Sequence, residues 1–185
     1  MKKRYFTILA VLVLVLAILA GCGGDQPLTV LQQKYGKVSN ATAITQKIEI
    51  TSGNLLQYSS DKTFTATDGG YSVVATEKRL NEVTADAEQA YTTTTDSYTV
   101  AKADTFVTGL ALNVKYFEKD YVASPTSLKA NVANGHEKDV VKLDELDNVS
   151  NMTLELTADS NNLTSIVITY KTGSSNVKIT LTFNY

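Results

Sequence analysis

The chain has one cysteine, one histidine and no tryptophan among its 185 residues. A single cysteine excludes an internal disulfide framework and a multi-cysteine metal site. The single histidine, His136, lies in the polar stretch Asn134-Gly135-His136-Glu137. A histidine-based triad needs a nucleophile and an orienting acid, and the sequence carries a signature for neither. A catalytic zinc usually takes two or three imidazoles, which this chain cannot supply. No Lys/Arg cluster forms the basic stripe of a nucleic-acid binder. The P-loop pattern is missing too, so Asp68-Gly69-Gly70 reads as a turn and not as a phosphate cradle.

Two acidic groupings remain. Asp144, Glu145 and Asp147 form a run without glycine and without EF-hand spacing, which reads as a solvated face, with a calcium site as the alternative. Glu77 and Glu82 could pair like glycosidase carboxylates, but acids on an exposed strand face explain them better. No catalytic, cofactor or metal site is assigned, and the expectation is a non-enzymatic protein.

The chain begins MKKRYFTILAVLVLVLAILAGC. Lys2, Lys3 and Arg4 precede an apolar stretch from Tyr5 to Ala20, then small residues and Cys22. The order matches an export signal, and the apolar stretch is short for a spanning helix. The basic cluster holds the amino end on the cytoplasmic side. Leu19-Ala20-Gly21-Cys22 resembles the bacterial lipobox. The resemblance implies diacylglyceryl transfer to the Cys22 thiol and cleavage between Gly21 and Cys22. The alternative is an uncleaved N-terminal anchor, which leaves the domain on the same side of the membrane. Expected boundaries are a signal peptide over 1–21, a lipidated tether over 22–27 and a single mainly antiparallel β domain over 28–185. The leader holds three of the 17 Lys+Arg and none of the 19 Asp+Glu, so the mature part carries about −5. A mildly acidic surface does not anchor to anionic lipid by charge; attachment falls to the acyl chains on Cys22.

The carboxyl-terminal end has the clearest pattern. Val177, Ile179, Leu181, Phe183 and Tyr185 alternate with polar residues, which is the period of a half-buried strand. Ile166, Ile168 and Tyr170 share a face, as do Met152, Leu154 and Leu156. Ala158 to Asn162 and Thr172 to Ser175 supply turn residues between them. Residues 150–185 therefore read as a three-stranded antiparallel meander. Towards the front, Ile44 to Ile50, Leu55 to Thr67 and Tyr71 to Leu80 read as three more strands. Ser52-Gly53-Asn54 and Asp68-Gly69-Gly70 are the turns between them.

Pro27 to Tyr35 suits a short helix stopped by Gly36. The middle is ambiguous. Val83 to Tyr91 reads as a helical turn or loop, and Thr92–Thr95 as a polar surface tract. Phe106 to Phe117 fits both periods and reads as a strand ending in a helical turn. Leu128 to Val132 is a short strand, and Asn134 to Asn148 a polar loop. Seven or eight strands with little helix predict a mainly β (α+β) fold: a strongly curved antiparallel sheet or open half-barrel with one or two short helices.

Of the ten tyrosines, Tyr170 and Tyr185 fall on apolar stripes and are expected in the core. Tyr58, Tyr71 and Tyr121 are open. Sequons begin at Asn40, Asn148, Asn151 and Asn162, and reflect an Asn- and Thr-rich composition.

The paired strands from Ile48 to Leu80 and the closing meander from Met152 to Tyr185, taken with the lipobox, resemble lipoproteins of Gram-positive bacteria. Their curved sheet is similar to that of the LolA/LolB lipid-carrier superfamily. The resemblance implies a lipid or other apolar ligand held between the concave sheet face and covering segments. It transfers no binding residue, and the segments around 92–104 and 134–148 would have to cover that face. The expectation is a monomer on the outer face of the cell membrane, anchored through Cys22, with no cofactor and no nucleic acid partner. The expected ligand is a lipid or other apolar molecule on the concave sheet face; the alternative is a cell-surface module that binds protein or polysaccharide without an internal ligand.

Overall fold

The computed structural model describes residues 26–81, 91–101, 109–141 and 148–185. The leader, Cys22, the 82–90 segment, Phe106 and the acidic run at 144–147 lie outside the described residues.

Helix α1 spans Gln26–Tyr35. Its Leu28 and Leu31, three apart and so on one side, are buried. Among the described residues nine strands follow: β1 Ala43–Ser52, β2 Leu55–Thr67, β3 Gly70–Leu80, β4 Tyr91–Ala101, β5 Val122–Ser124, β6 Ser127–Asn131, β7 Val149–Ala158, β8 Leu163–Thr172 and β9 Ser175–Asn184. A four-residue helix, α2, occupies Glu137–Val140. All nine strands belong to one open antiparallel sheet, in the order β4-β3-β2-β1-β9-β8-β7-β6-β5. The chain's two meanders therefore meet where β1 pairs with β9.

The register explains the core. On the inner face, Ile48, Ile179, Ile168, Leu154 and Ala130 form one transverse row. Leu181, Ile166, Leu156 and Leu128 form the next. Leu28 and Leu31 of α1, with Val38, Leu110, Phe117, Val132, Val140 and Val141, pack onto the same cluster. Fully buried leucines and isoleucines each contribute about 1.5–3 kcal/mol of transfer free energy.

Past β1 the same rows turn polar. Ile48 faces Ser60, then Glu77 and Thr94; Gln46 faces Lys62, Ala75 and Asp96. Only the end near Ile44 stays apolar, where Phe64 and Tyr71 meet edge to face, 6.4 Å between centroids.

The outer face is hydroxyl-rich. One row runs Ser97, Val74, Thr63, Thr45, Thr182, Ser165, Thr157, Ser127 across eight strands. Threonine suits this surface because its β-branch fits the pleat while its hydroxyl stays in water.

A buried lysine fastens α1 to the sheet. Lys34 is 6% exposed. Its Nζ donates to the backbone carbonyls of Pro125 at 2.9 Å and Asp159 at 2.6 Å. Gln32 adds a two-way clamp, donating to the Leu110 carbonyl at 2.9 Å and accepting from the Leu112 N–H at 2.8 Å.

Some expectations need correcting. Residues 91–101, expected within a covering loop, form strand β4. Residues 109–113 are not a strand; Leu110 makes an isolated bridge to Val141, and a 3-10 turn covers Val114–Tyr116. The 134–148 loop contains α2, whose Glu137 is buried while its Oε2 accepts the Gly135 N–H at 2.9 Å. Tyr185 is 40% exposed, held by its hydroxyl donating to the Leu163 carbonyl at 3.0 Å.

Candidate functional site

The apolar inner face was the expected ligand site, and its covered half is occupied by the chain's own side chains. Leu31, Ile44, Leu154, Leu163, Ile168, Val140 and Val141 have no measurable exposure. Two open hollows occur away from that core. One, of about 330 Å³, lies between the ends of β1, β9, β8 and β7 and includes Lys171 and Lys178. The other, of about 430 Å³, lies beside β7 and carries Glu118, Asn134 and Glu137. Both are lined by polar side chains as well as apolar ones.

The other distinctive surface is strand β4. From Thr92 to Thr99 every residue is exposed, on both faces of the sheet. It pairs with β3 from Gly70–Ala101 to Leu80–Tyr91 without a register shift. Among the described residues no strand pairs with its outer side. Proteins blunt such edges with lysine, proline, bulges or short strands. Strand β4 has none of these: it is eleven residues long and reads YTTTTDSYTVA. Its one charge is Asp96, which has no ion-pair partner among the described residues. Gly70 lets β3 lie close to β4, since a Cβ there would collide with the Val100 carbonyl.

The charges next to β4 are engaged. The Tyr58 hydroxyl and the Arg79 guanidinium bond the Glu77 carboxylate and hold its pKa below the usual range. The Arg79–Glu77 contact is 3.3 Å, and Arg79 also stacks over the Tyr58 ring. Lys78 Nζ sits 4.3 Å from the Tyr91 ring centroid. Asp96 is thus the charge left available at this edge.

The other candidates fall apart chemically. His136 Nδ1 is 2.7 Å from Asp139 Oδ2 and its ring leans on Tyr116, in the turn before α2, with no nucleophile among its contacts. The Glu77–Glu82 pair and the acidic run include residues outside the described ones. Among the described residues no three His, Cys, Asp or Glu side chains converge on a metal position. Tyr71 is fully buried, its hydroxyl 3.4 Å from the Ser39 and Ala41 carbonyls, and burial raises its pKa. Tyr170 is half-buried and shifted upward for the same reason. Tyr58 and Tyr121 are partly buried. Ser60 Oγ is buried without a hydrogen-bond partner among the described residues, at the boundary where the inner face turns polar.

Sequence reasoning missed β4 as a strand and missed the hollow at β7. The available signal for β4 was its threonine content, since threonine favours strands even where alternation is missing. No known protein family and no curated protein matches this sequence.

Proposed function

We propose that this chain is a non-enzymatic lipoprotein, anchored to the outer face of a membrane through Cys22, that binds a protein partner along strand β4. The observation that carries the reading is the eleven-residue edge, exposed on both faces and unpaired on its outer side among the described residues. An extended partner segment adds to such an edge as a further strand, with main-chain hydrogen bonds giving affinity and side-chain positions giving specificity. A tenth strand also keeps the sheet within the usual size of open sheets. The partner segment carries Lys or Arg at the position facing Asp96, where an opposite charge is rewarded.

The anchor half of the reading rests on Leu19-Ala20-Gly21-Cys22 after a basic and apolar leader. Among the described residues no helix is long and apolar enough to cross a membrane. Lipid carriage on the inner face has less support. Admitting an acyl chain would mean separating α1 and the Leu110–Val141 region from a close-packed core, at a cost of several kcal/mol.

The test is photo-crosslinking in intact cells. A benzophenone residue replaces Thr95 in β4 or, as a control, Lys129 on the outer face of β6. A discrete adduct from position 95 and none from 129 is expected. No adduct from 95, or the same adduct from both, contradicts edge binding.

A further inference from the structure

We propose that the hollow containing Thr51, Asn151, Thr169, Lys171, Asn176 and Lys178 binds an anionic carbohydrate, a hydroxyl-rich ligand bearing a carboxylate or phosphate. This stands apart from the edge reading and uses strands β1, β7, β8 and β9 rather than β4.

The hollow is built by the register. Glu49, Lys178 and Thr169 form one outer-face row, and Thr51, Asn176 and Lys171 form the next. At this level both flanking strands are irregular. Strand β1 shifts against β2 between Ile50 and Thr51. Strand β7 shifts against β8 between Ser150 and Thr153, which leaves Asn151 and Met152 out of the ladder. Bulges of this kind re-aim side chains and are enriched beside binding sites. Asn151 sits at φ 53°, in the left-handed region that costs a non-glycine residue about 1–2 kcal/mol. Asparagine tolerates it, and Asn151 borders the hollow.

The charge points to an anion. Three other lysines on the sheet have partners: Lys47 holds Glu49 at 3.0 Å, Lys129 holds Glu155 at 2.9 Å, and Lys78 lies over Tyr91, while Lys62 on β2, away from the hollow, has no ion-pair partner among the described residues. Lys171 and Lys178 have no ion-pair partner among the described residues. Glu49, the one carboxylate in the hollow, is already neutralised by Lys47, so the hollow is positive on a domain whose net charge is negative.

The rest of the lining combines apolar surface from Tyr170 and Val177 with polar groups from Thr51, Thr169, Asn151 and Asn176, which suits a sugar ring and its hydroxyls. Two threonine hydroxyls and two carboxamides offer donors and acceptors around the lysines, and the Thr169 hydroxyl is oriented by Thr153 at 2.6 Å. A volume of about 330 Å³ is more than a bare ion needs and falls at the small end of organic ligand sites.

The experiment is calorimetric titration of the purified full chain in an uncharged polyoxyethylene detergent. The probes are glucuronic acid, glucose 6-phosphate and glucose. Both anionic sugars, or one of them, bind at least tenfold more tightly than glucose; the one that binds identifies the anionic group. The Lys171→Gln/Lys178→Gln double variant weakens that binding at least tenfold, while Lys129→Gln leaves it unchanged. Asn151→Gly keeps the backbone conformation but removes the amide, and weakens binding at least threefold. A hyaluronan tetrasaccharide that binds more tightly than glucuronic acid assigns a wall or matrix polymer; equal affinity assigns a free sugar. The proposal is overturned if neither anion binds at millimolar concentration, or if the double variant binds like the unmodified protein.

Discussion

Single residues decide how the turns and the helix are held. Asp159 shows this best. Its Oδ1 accepts the N–H groups of Asn161 and Asn162, both at 2.7 Å, and closes the β7–β8 turn. Those bonds favour the charged form and lower its pKa. A carboxyl with a lowered folded pKa contributes stability above its unfolded pKa and loses it as pH falls through the folded value. Asp159→Asn is therefore expected to lower stability at pH 7 and to flatten the acid limb of the stability curve below about pH 4. Thermal melting of both proteins across that range checks it; parallel curves would contradict the assignment. The sequence marked Ala158 to Asn162 as a turn, because Asp, Ser and Asn accept turn geometry. It could not show Lys34 reaching the Asp159 carbonyl, because that contact joins residues 125 apart in the chain.

Elements were legible where one face is buried and the other wet. β7–β9 alternate in polarity along their length and β1–β3 at the end near Ile44, Phe64 and Val73, and turns between them carry Gly53, Gly69 and Gly173. β4 does not alternate because it is wet on both faces, so period 2 had nothing to register. The 109–113 segment carries an alternating pattern but covers the core as irregular chain, because its burial comes from packing beneath α1 and not from a sheet. The β4 edge can be tested at the level of the element. Successive residues of an antiparallel strand aim their N–H groups at opposite neighbours, so one of Thr94 and Thr95 points to β3 and the other outward. Proline at the outward position is expected to keep stability within about 1 kcal/mol and abolish edge binding. Proline at the inward position is expected to cost about 1–3 kcal/mol by breaking the ladder. Equal destabilisation of both, measured by urea unfolding, would mean that the outer edge is already paired.

At the scale of the whole molecule, the sheet divides at β1. On one side it is capped by α1 and closely packed; on the other it extends into solvent as β2–β4. A covered half supplies stability and an open half is free to meet a partner, which is the arrangement expected of a surface module. The proposed anchor rests on the leader sequence alone. On the proposal that Cys22 takes a diacylglyceryl group, replacing it with Ser is expected to abolish incorporation of labelled palmitate and remove the protein from the lipidated fraction. Undiminished palmitate incorporation would move the anchor elsewhere. The candidate site was less legible than the fold. The hollow draws on β1, β7, β8 and β9, and the edge is defined by what does not pair with it; neither is a local pattern.

Whether the inner face carries a ligand or is filled by the protein itself is answered most directly by native mass spectrometry of residues 23–185 purified without detergent. A single apo mass, unchanged on exposure to membrane lipid, is the predicted result. A heavier species that releases a lipid on denaturation would contradict the account and make the inner face a lipid site.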